Sequence, residues 1–179
     1  TRLLTCASLT KRKGHDVLIE ALSRIDSLDW QARFVGDETL DPRWACELKN
    51  RTEVRGVSDQ IEFVGAVTNI SSEYQNADIF VLPSKFEGYG MVLSEALAHG
   101  LPIVSTRAGA IPEVVPESAG ILVDIGDHSA LAAALKKLIL DDDLRNKMKL
   151  GARKAALTLP SWGICAELIA RGMETIPKK

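Results

Sequence analysis

Short apolar runs alternate along this chain with longer stretches in which apolar side chains recur every three or four residues. The runs are residues 3–7, "ARFVG", "IEFVG", "DIFVLPS", "PIVST" and "AGILVD". Their brevity and near-continuous apolar character fit strands covered on both faces. Between them, "HDVLIEALSRI" places Val17, Leu18, Ala21, Leu22 and Ile25 on one helical face. Pro42 suits the first turn of a helix reaching about residue 55. "ISSEYQNA" reads as a short helix, and another begins after Gly90. "IPEVV" is a single turn, and "DHSALAAALKKLILD" is an amphipathic helix with Asp127 as its N-cap. A further helix covers about 142–157, and Pro160 separates it from a tail, "PSWGICAELIARGMETI".

Strands that alternate with helices pair in parallel through right-handed crossovers. The predicted fold is therefore α/β: a Rossmann-like parallel sheet of about six strands with helices on both faces. Residues 1–160 form this domain, and 161–179 a C-terminal helix or tail. Ligands of such sheets sit beyond the C-terminal strand ends. That rule narrows the search to residues 8–13, 36–37, 65–69, 84–90, 106–109 and 124–127.

The 179 residues are 46% hydrophobic and 26% charged, the profile of a globular domain with its own core. A net charge of −2 gives no footprint for nucleic acid. No apolar run is long enough for a transmembrane helix. Cys6, Cys46 and Cys165 are scattered and odd in number, so they read as buried thiols in a reducing, cytoplasmic compartment. His15, His99 and His128 form no ligand spacing, so no metal site is expected. The chain starts without Met and enters a strand at once, which reads as a piece of a longer protein.

"SKFEGYGMVLSEALAHGLP" is the most unusual stretch, because two glutamates flank a glycine-rich turn. Gly88 and Gly90 permit positive φ and a close approach of a ligand. The helix that starts at Gly90–Met91 would offer unpaired N–H groups to an anion such as a diphosphate. Glu87 precedes the turn. Glu95 lies about two turns inside an otherwise apolar helix, where a carboxylate needs a partner. Vicinal ribose hydroxyls would serve; so would a buried ion pair with a Lys or Arg. After the first strand, Lys11, Arg12 and Lys13 place cations at the same edge of the sheet. "DDD" at 141–143 joins two helices and reads as capping rather than as a metal motif, and Asp78 reads as a cap at a strand entry.

The segment "PSKFEGYGMVLSEALAHGLPIVSTRAGAIPEVV" resembles the signature of retaining glycosyltransferase family 4, which has the GT-B fold. "LTKRKGHDVLIEAL", "ARFVGD", "IEFVGAV" and "AGILVDIGD" fall in that family's order, so the resemblance spans essentially the whole chain. It implies the C-terminal domain that binds a nucleotide diphosphate sugar, the donor. Glu87 would contact hydroxyls of the donor sugar, and Glu95 the ribose. The N–H groups of Gly88, Tyr89, Gly90 and Met91, with Val92 nearby, would hold the sugar and diphosphate. Lys13 would bind phosphate, and Val64, Gly65 and Val67 would line the base pocket. Where the family has Gly-Arg-Leu, this chain has Ala7-Ser8-Leu9. Ser8 brings no charge, and Arg12 would compensate from the loop.

The resemblance further implies a UDP-, GDP- or ADP-sugar donor, no metal or other cofactor, and a glycan, lipid or small-molecule acceptor held by an N-terminal domain. The tail from Trp162 would cross toward that domain, and membrane contact of the full protein, at the inner face, stays open. Two other readings fit the same architecture: a non-catalytic nucleotide-sugar binding module, and a nucleotide-sugar epimerase.

Overall fold

Consecutive residues of each strand point to opposite sides of the sheet and enter two separate cores. Leu3, Ile79, Val81 and Val104 pack on one face; Leu4, Phe80, Leu82 and Ile103 pack on the other. The computed structural model describes residues 1–159 together with Gly163. The strands are β1 (Arg2–Cys6), β2 (Gln31–Val35), β3 (Ile61–Gly65), β4 (Ile79–Leu82), β5 (Ile103–Thr106) and β6 (Gly120–Val123). The helices are α1 (His15–Leu22), α2 (Pro42–Val54), α3 (Ile70–Gln75), α4 (Met91–Ala98), α5 (Ile111–Val114), α6 (His128–Leu140) and α7 (Asp142–Ala156). All strand pairs are parallel, in the order β3-β2-β1-β4-β5-β6.

Two faces buried at once explain the uninterrupted apolar runs. Helices α1, α2 and α6 cover one core, into which Trp30 is sunk with its indole N–H donating to the Ile25 carbonyl at 2.8 Å. Helices α3, α4, α5 and α7 cover the other. The helix starts follow their capping chemistry. The Asp127 carboxylate accepts from the N–H groups of Ser129 and Ala130, and Asp141 accepts from that of Leu144, which confirms the capping reading of the acidic run. Asp41 accepts from Trp44 ahead of Pro42. Asp78 sits at the entry of β4, where it accepts from the Arg2 N–H at 2.9 Å and so ties the entries of β1 and β4 together.

Strand order reverses between β1 and β4, because β2 and β3 lie to one side and β5 and β6 to the other. At that switch point the loops after β1 and β4 diverge and leave a crevice at the C-terminal edge. The cysteine reading needs one correction. Cys6 is a buried free thiol as expected, but Cys46 is exposed, since it falls on the solvent side of α2. Cys165 and the tail from Trp162, with its expected crossing, lie outside the described residues. Among the described residues no helix is long and apolar enough to cross a membrane.

Candidate functional site

Two loops meet at the switch point through backbone alone. The Lys85 N–H donates to the Arg12 carbonyl at 2.8 Å. Gly14, at φ 72°, passes so close to β4 that a Cβ would sit 2.0 Å from the Pro83 carbonyl oxygen. Lys11–Lys13 wind into a single 3-10 turn just before this contact. The turn presents the cations of the first loop to the second.

Glu87 is where they converge. It is 6% exposed, and its Oε1 accepts from Lys13 Nζ at 2.7 Å and from Ser84 Oγ at 2.7 Å. Arg12 Nη1 lies 3.6 Å from the same oxygen and donates to the Phe86 carbonyl at 2.7 Å. A third loop holds the backbone: the Ala110 N–H donates to the Glu87 carbonyl at 3.0 Å, and Gly109, at φ 56°, lies against it. One buried carboxylate thus faces two cations, leaving the pocket floor with an excess of positive charge.

Helix α4 starts beside this cluster. Its N-cap, Gly90, has φ 79° and offers no side-chain acceptor, so no side chain caps the first turn, where the Leu93 N–H turns back to the Gly90 carbonyl at 2.8 Å. Tyr89 and Met91 flank the turn with exposed side chains. Glu95, two turns in, is half-buried, and its partner is neither Lys nor Arg: the Tyr74 hydroxyl donates to Oε2 at 2.8 Å.

A cleft of about 290 Å³ runs along the C-terminal ends of β1 and β2, and Ser8, Val67, Val92 and Glu95 line it together with Gly36 and Ile70. Val64 lies behind this wall, packed on the core under α3 and α4. Gly65 closes the edge of the sheet by accepting from the Gly36 N–H at 2.9 Å. The structure therefore gathers Ser8, Val67, Val92 and Glu95 on one cleft. Arg12, Lys13 and Glu87 form an adjacent charged cluster, and residues 88–91 lie between the two. Two larger clefts, of about 320 and 500 Å³, lie elsewhere. The first is lined by Arg2, Asn76 and Ala77 at the opposite sheet edge; the second runs between α5 and α7. Neither gathers the cations and carboxylates of the switch point. No group of three or more His, Cys, Asp or Glu side chains with metal-holding geometry occurs among the described residues. Ser84, which touches Glu87 from three residues away, fell within the 84–90 segment without a role of its own. Tyr74 escaped the sequence reading, because it reaches Glu95 through tertiary structure and only the buried-polar requirement at Glu95 pointed toward a partner.

Fold and geometry together define a Rossmann-type domain with a helix N-terminus set between two carboxylates at its switch point. The chain belongs to the family of glycosyl transferases group 1, whose model matches residues 1–155. It is 44% identical over 177 residues to a D-inositol 3-phosphate glycosyltransferase of Corynebacterium jeikeium (strain K411), covering 94% of this chain and 42% of that protein. It is 36% identical over 130 residues to the lipopolysaccharide core biosynthesis mannosyltransferase LpsB of Rhizobium meliloti (strain 1021), covering 69% of this chain and 37% of that one. The chain thus spans about two fifths of these curated relatives. The C-terminal domain of a glycosyl transferase group 1 family protein (LpcC) from Francisella tularensis superposes with a TM-score of 0.81 at 30% identity, over 88% of this chain and 84% of that one. Anabaena Alr3699/HepE, solved in complex with UDP-glucose, shares the fold with a TM-score of 0.89 at 23% identity, over 98% and 49%.

Proposed function

We propose that this chain is the donor-binding domain of a retaining glycosyltransferase of family 4, which transfers a sugar from a nucleotide diphosphate sugar to an acceptor. The observation that carries the reading is the N-terminus of α4, free of any side-chain cap, set between buried Glu87, which Lys13 holds, and half-buried Glu95. The N–H groups of residues 88–91 receive the diphosphate, while Glu95 takes the ribose hydroxyls and Glu87 the sugar hydroxyls. The base occupies the end of the cleft near Val64–Val67.

Lys13 has three N–H donors, so it can keep its bond to Glu87 and give another to a phosphate oxygen. As the glycosidic bond breaks, negative charge grows on the leaving diphosphate. Lys13 and the α4 dipole offset it without solvent reorganisation. Arg12 supplies the charge that Ser8 lacks: its head is half-exposed and bound only to a carbonyl and the Glu87 edge, so it can swing onto the diphosphate. The acceptor class, whether glycan, lipid or small molecule, belongs to the remainder of the full-length protein.

Calorimetry of this chain against UDP-, GDP- and ADP-sugars tests the reading, and one of the three is expected to bind in preference. Arg12→Ala should weaken that donor about tenfold, the value of one hydrogen bond between charged groups. No binding by any of the panel would overturn the proposal. Unchanged affinity in Arg12→Ala would remove Arg12 from it.

A further inference from the structure

Glu95 is held by one oxygen and free at the other. Oε2 accepts from the Tyr74 hydroxyl, whereas Oε1 has no partner among the described residues, and the side chain lines the cleft. Tyr74 is 1% exposed on α3, a short helix that otherwise carries only one apolar residue, Ile70. Its ring stacks on His99 at 5.1 Å with 11° between the planes, and tilts against Phe80 at 5.7 Å. Packing alone would be met by phenylalanine, so the hydroxyl calls for its own explanation. The phenol proton lies toward Glu95, with the Val92 carbonyl a longer second acceptor at 3.3 Å.

We propose that Tyr74 is the positioning residue of the ribose-binding carboxylate: by holding Oε2 it fixes the Glu95 side chain so that Oε1 faces the cleft and accepts from the vicinal hydroxyls of a nucleotide. The inference rests on the assignment of Glu95 to the ribose. Its physical content is preorganisation. A free glutamate gives up rotamer entropy when it binds, and one already held by a buried donor gives up little. The stacked ring on His99 fixes the direction of the hydroxyl, so the aim of Oε1 is set by packing between α3 and α4.

The experiment compares a nucleoside diphosphate (whichever of UDP, GDP and ADP binds most tightly) with its 2′,3′-dideoxy form. Calorimetry is run on the wild type, Tyr74→Phe and Glu95→Gln. Tyr74→Phe is expected to raise the Kd of the ribonucleotide about tenfold while leaving that of the dideoxynucleotide unchanged, the scale of one hydrogen bond to a charged group. Because the readout is a ratio, a partly misfolded sample, which lowers both affinities alike, does not imitate the effect. If Glu95→Gln leaves the ratio untouched, the ribose assignment fails and this proposal with it. If Glu95→Gln collapses the ratio and Tyr74→Phe does not, Tyr74 alone is overturned. A second measurement avoids the phenylalanine variant. The chain has two tyrosines, so 3-fluorotyrosine labelling gives two resonances, assigned by Tyr89→Phe. The Tyr74 resonance is expected to move on saturation with the ribonucleotide and to stay in place with the dideoxynucleotide. A resonance that responds equally to both would refute the positioning role.

Discussion

At the scale of single residues, the chain holds one side chain that its own surroundings refuse to charge. His15 follows Gly14 at the start of α1, is 1% exposed, and packs on Phe34 with ring centroids 5.4 Å apart. Neither ring nitrogen has a hydrogen-bond partner among the described residues. Burial, helped by the nearby Lys13 cation, lowers its pKa to about 3. The folded value lies below the unfolded one, near 6.5, so between the two the unfolded chain binds a proton that the folded chain does not. Stability therefore falls as pH drops below about 6.5, approaching a tenfold change in the folded-to-unfolded ratio per pH unit, and gains nothing from His15 above that. Urea titrations of the wild type and His15→Phe at pH 7 and pH 5.5 check this. The wild type is expected to lose stability between the two conditions, and the variant to lose less. Equal losses would mean that His15 titrates normally. The sequence did not place His15: nothing in one dimension shows that the residue after Gly14 turns inward onto Phe34. Glu95 was more legible. An acidic residue among Val92, Leu93, Ala96 and Leu97 needs a partner, and that need is visible in one dimension, though the partner on α3 is not.

At the scale of elements, the site depends on glycines that let loops touch. Gly109, after β5, has φ 56°, and a Cβ there would lie 2.1 Å from the Glu87 carbonyl oxygen. Gly126, after β6, has φ 80° with nothing within 4 Å of an added Cβ. Alanine at either costs roughly 1–2 kcal/mol of backbone strain, but only at Gly109 must a neighbouring backbone also move. Gly109→Ala is expected to displace the loop that carries Glu87, lowering both the melting temperature and the affinity for donor. Gly126→Ala should lower the melting temperature alone. Donor calorimetry with thermal melts of the two variants separates strain from displacement. If both variants bind like the wild type, the contact at Gly109 does not position Glu87. Strands and helices were readable from periodicity to within a residue or two, because both cores demand it; the exception is α1, whose apolar pattern runs to Ile25 while the helix ends at Leu22. Glycines in loops were readable only as turns. Which backbone each one admits, such as Pro83 beside Gly14 or Glu87 beside Gly109, depends on strand order.

At the scale of the whole molecule, the switch point leaves the site open on one side. Phe86, Tyr89 and Met91 are 58%, 44% and 53% exposed, an apolar rim beside the charged cluster and the α4 N-terminus. Such a rim is unusual on a surface meant to stay in water. Transfer requires an acceptor hydroxyl held against the anomeric carbon, and much of a rate enhancement comes from that positioning and from closure over the reactants. In the proposed reading, the groups for the diphosphate, ribose and sugar all lie on one wall. The curated relatives are more than twice as long as the stretch this chain matches. Binding and transfer should therefore separate: the 179-residue chain is expected to bind its preferred donor while moving no sugar to an acceptor faster than it hydrolyses the donor. Calorimetry establishes the first, and a radiolabelled-donor assay with candidate acceptors the second. Robust transfer by this chain would mean that the exposed rim itself orients the acceptor. Absence of both binding and transfer would instead point to the donor site as incomplete. Binding without transfer is the outcome that the one-walled geometry requires, because an ion pair and a helix N-terminus can hold a leaving group but cannot bring in the nucleophile.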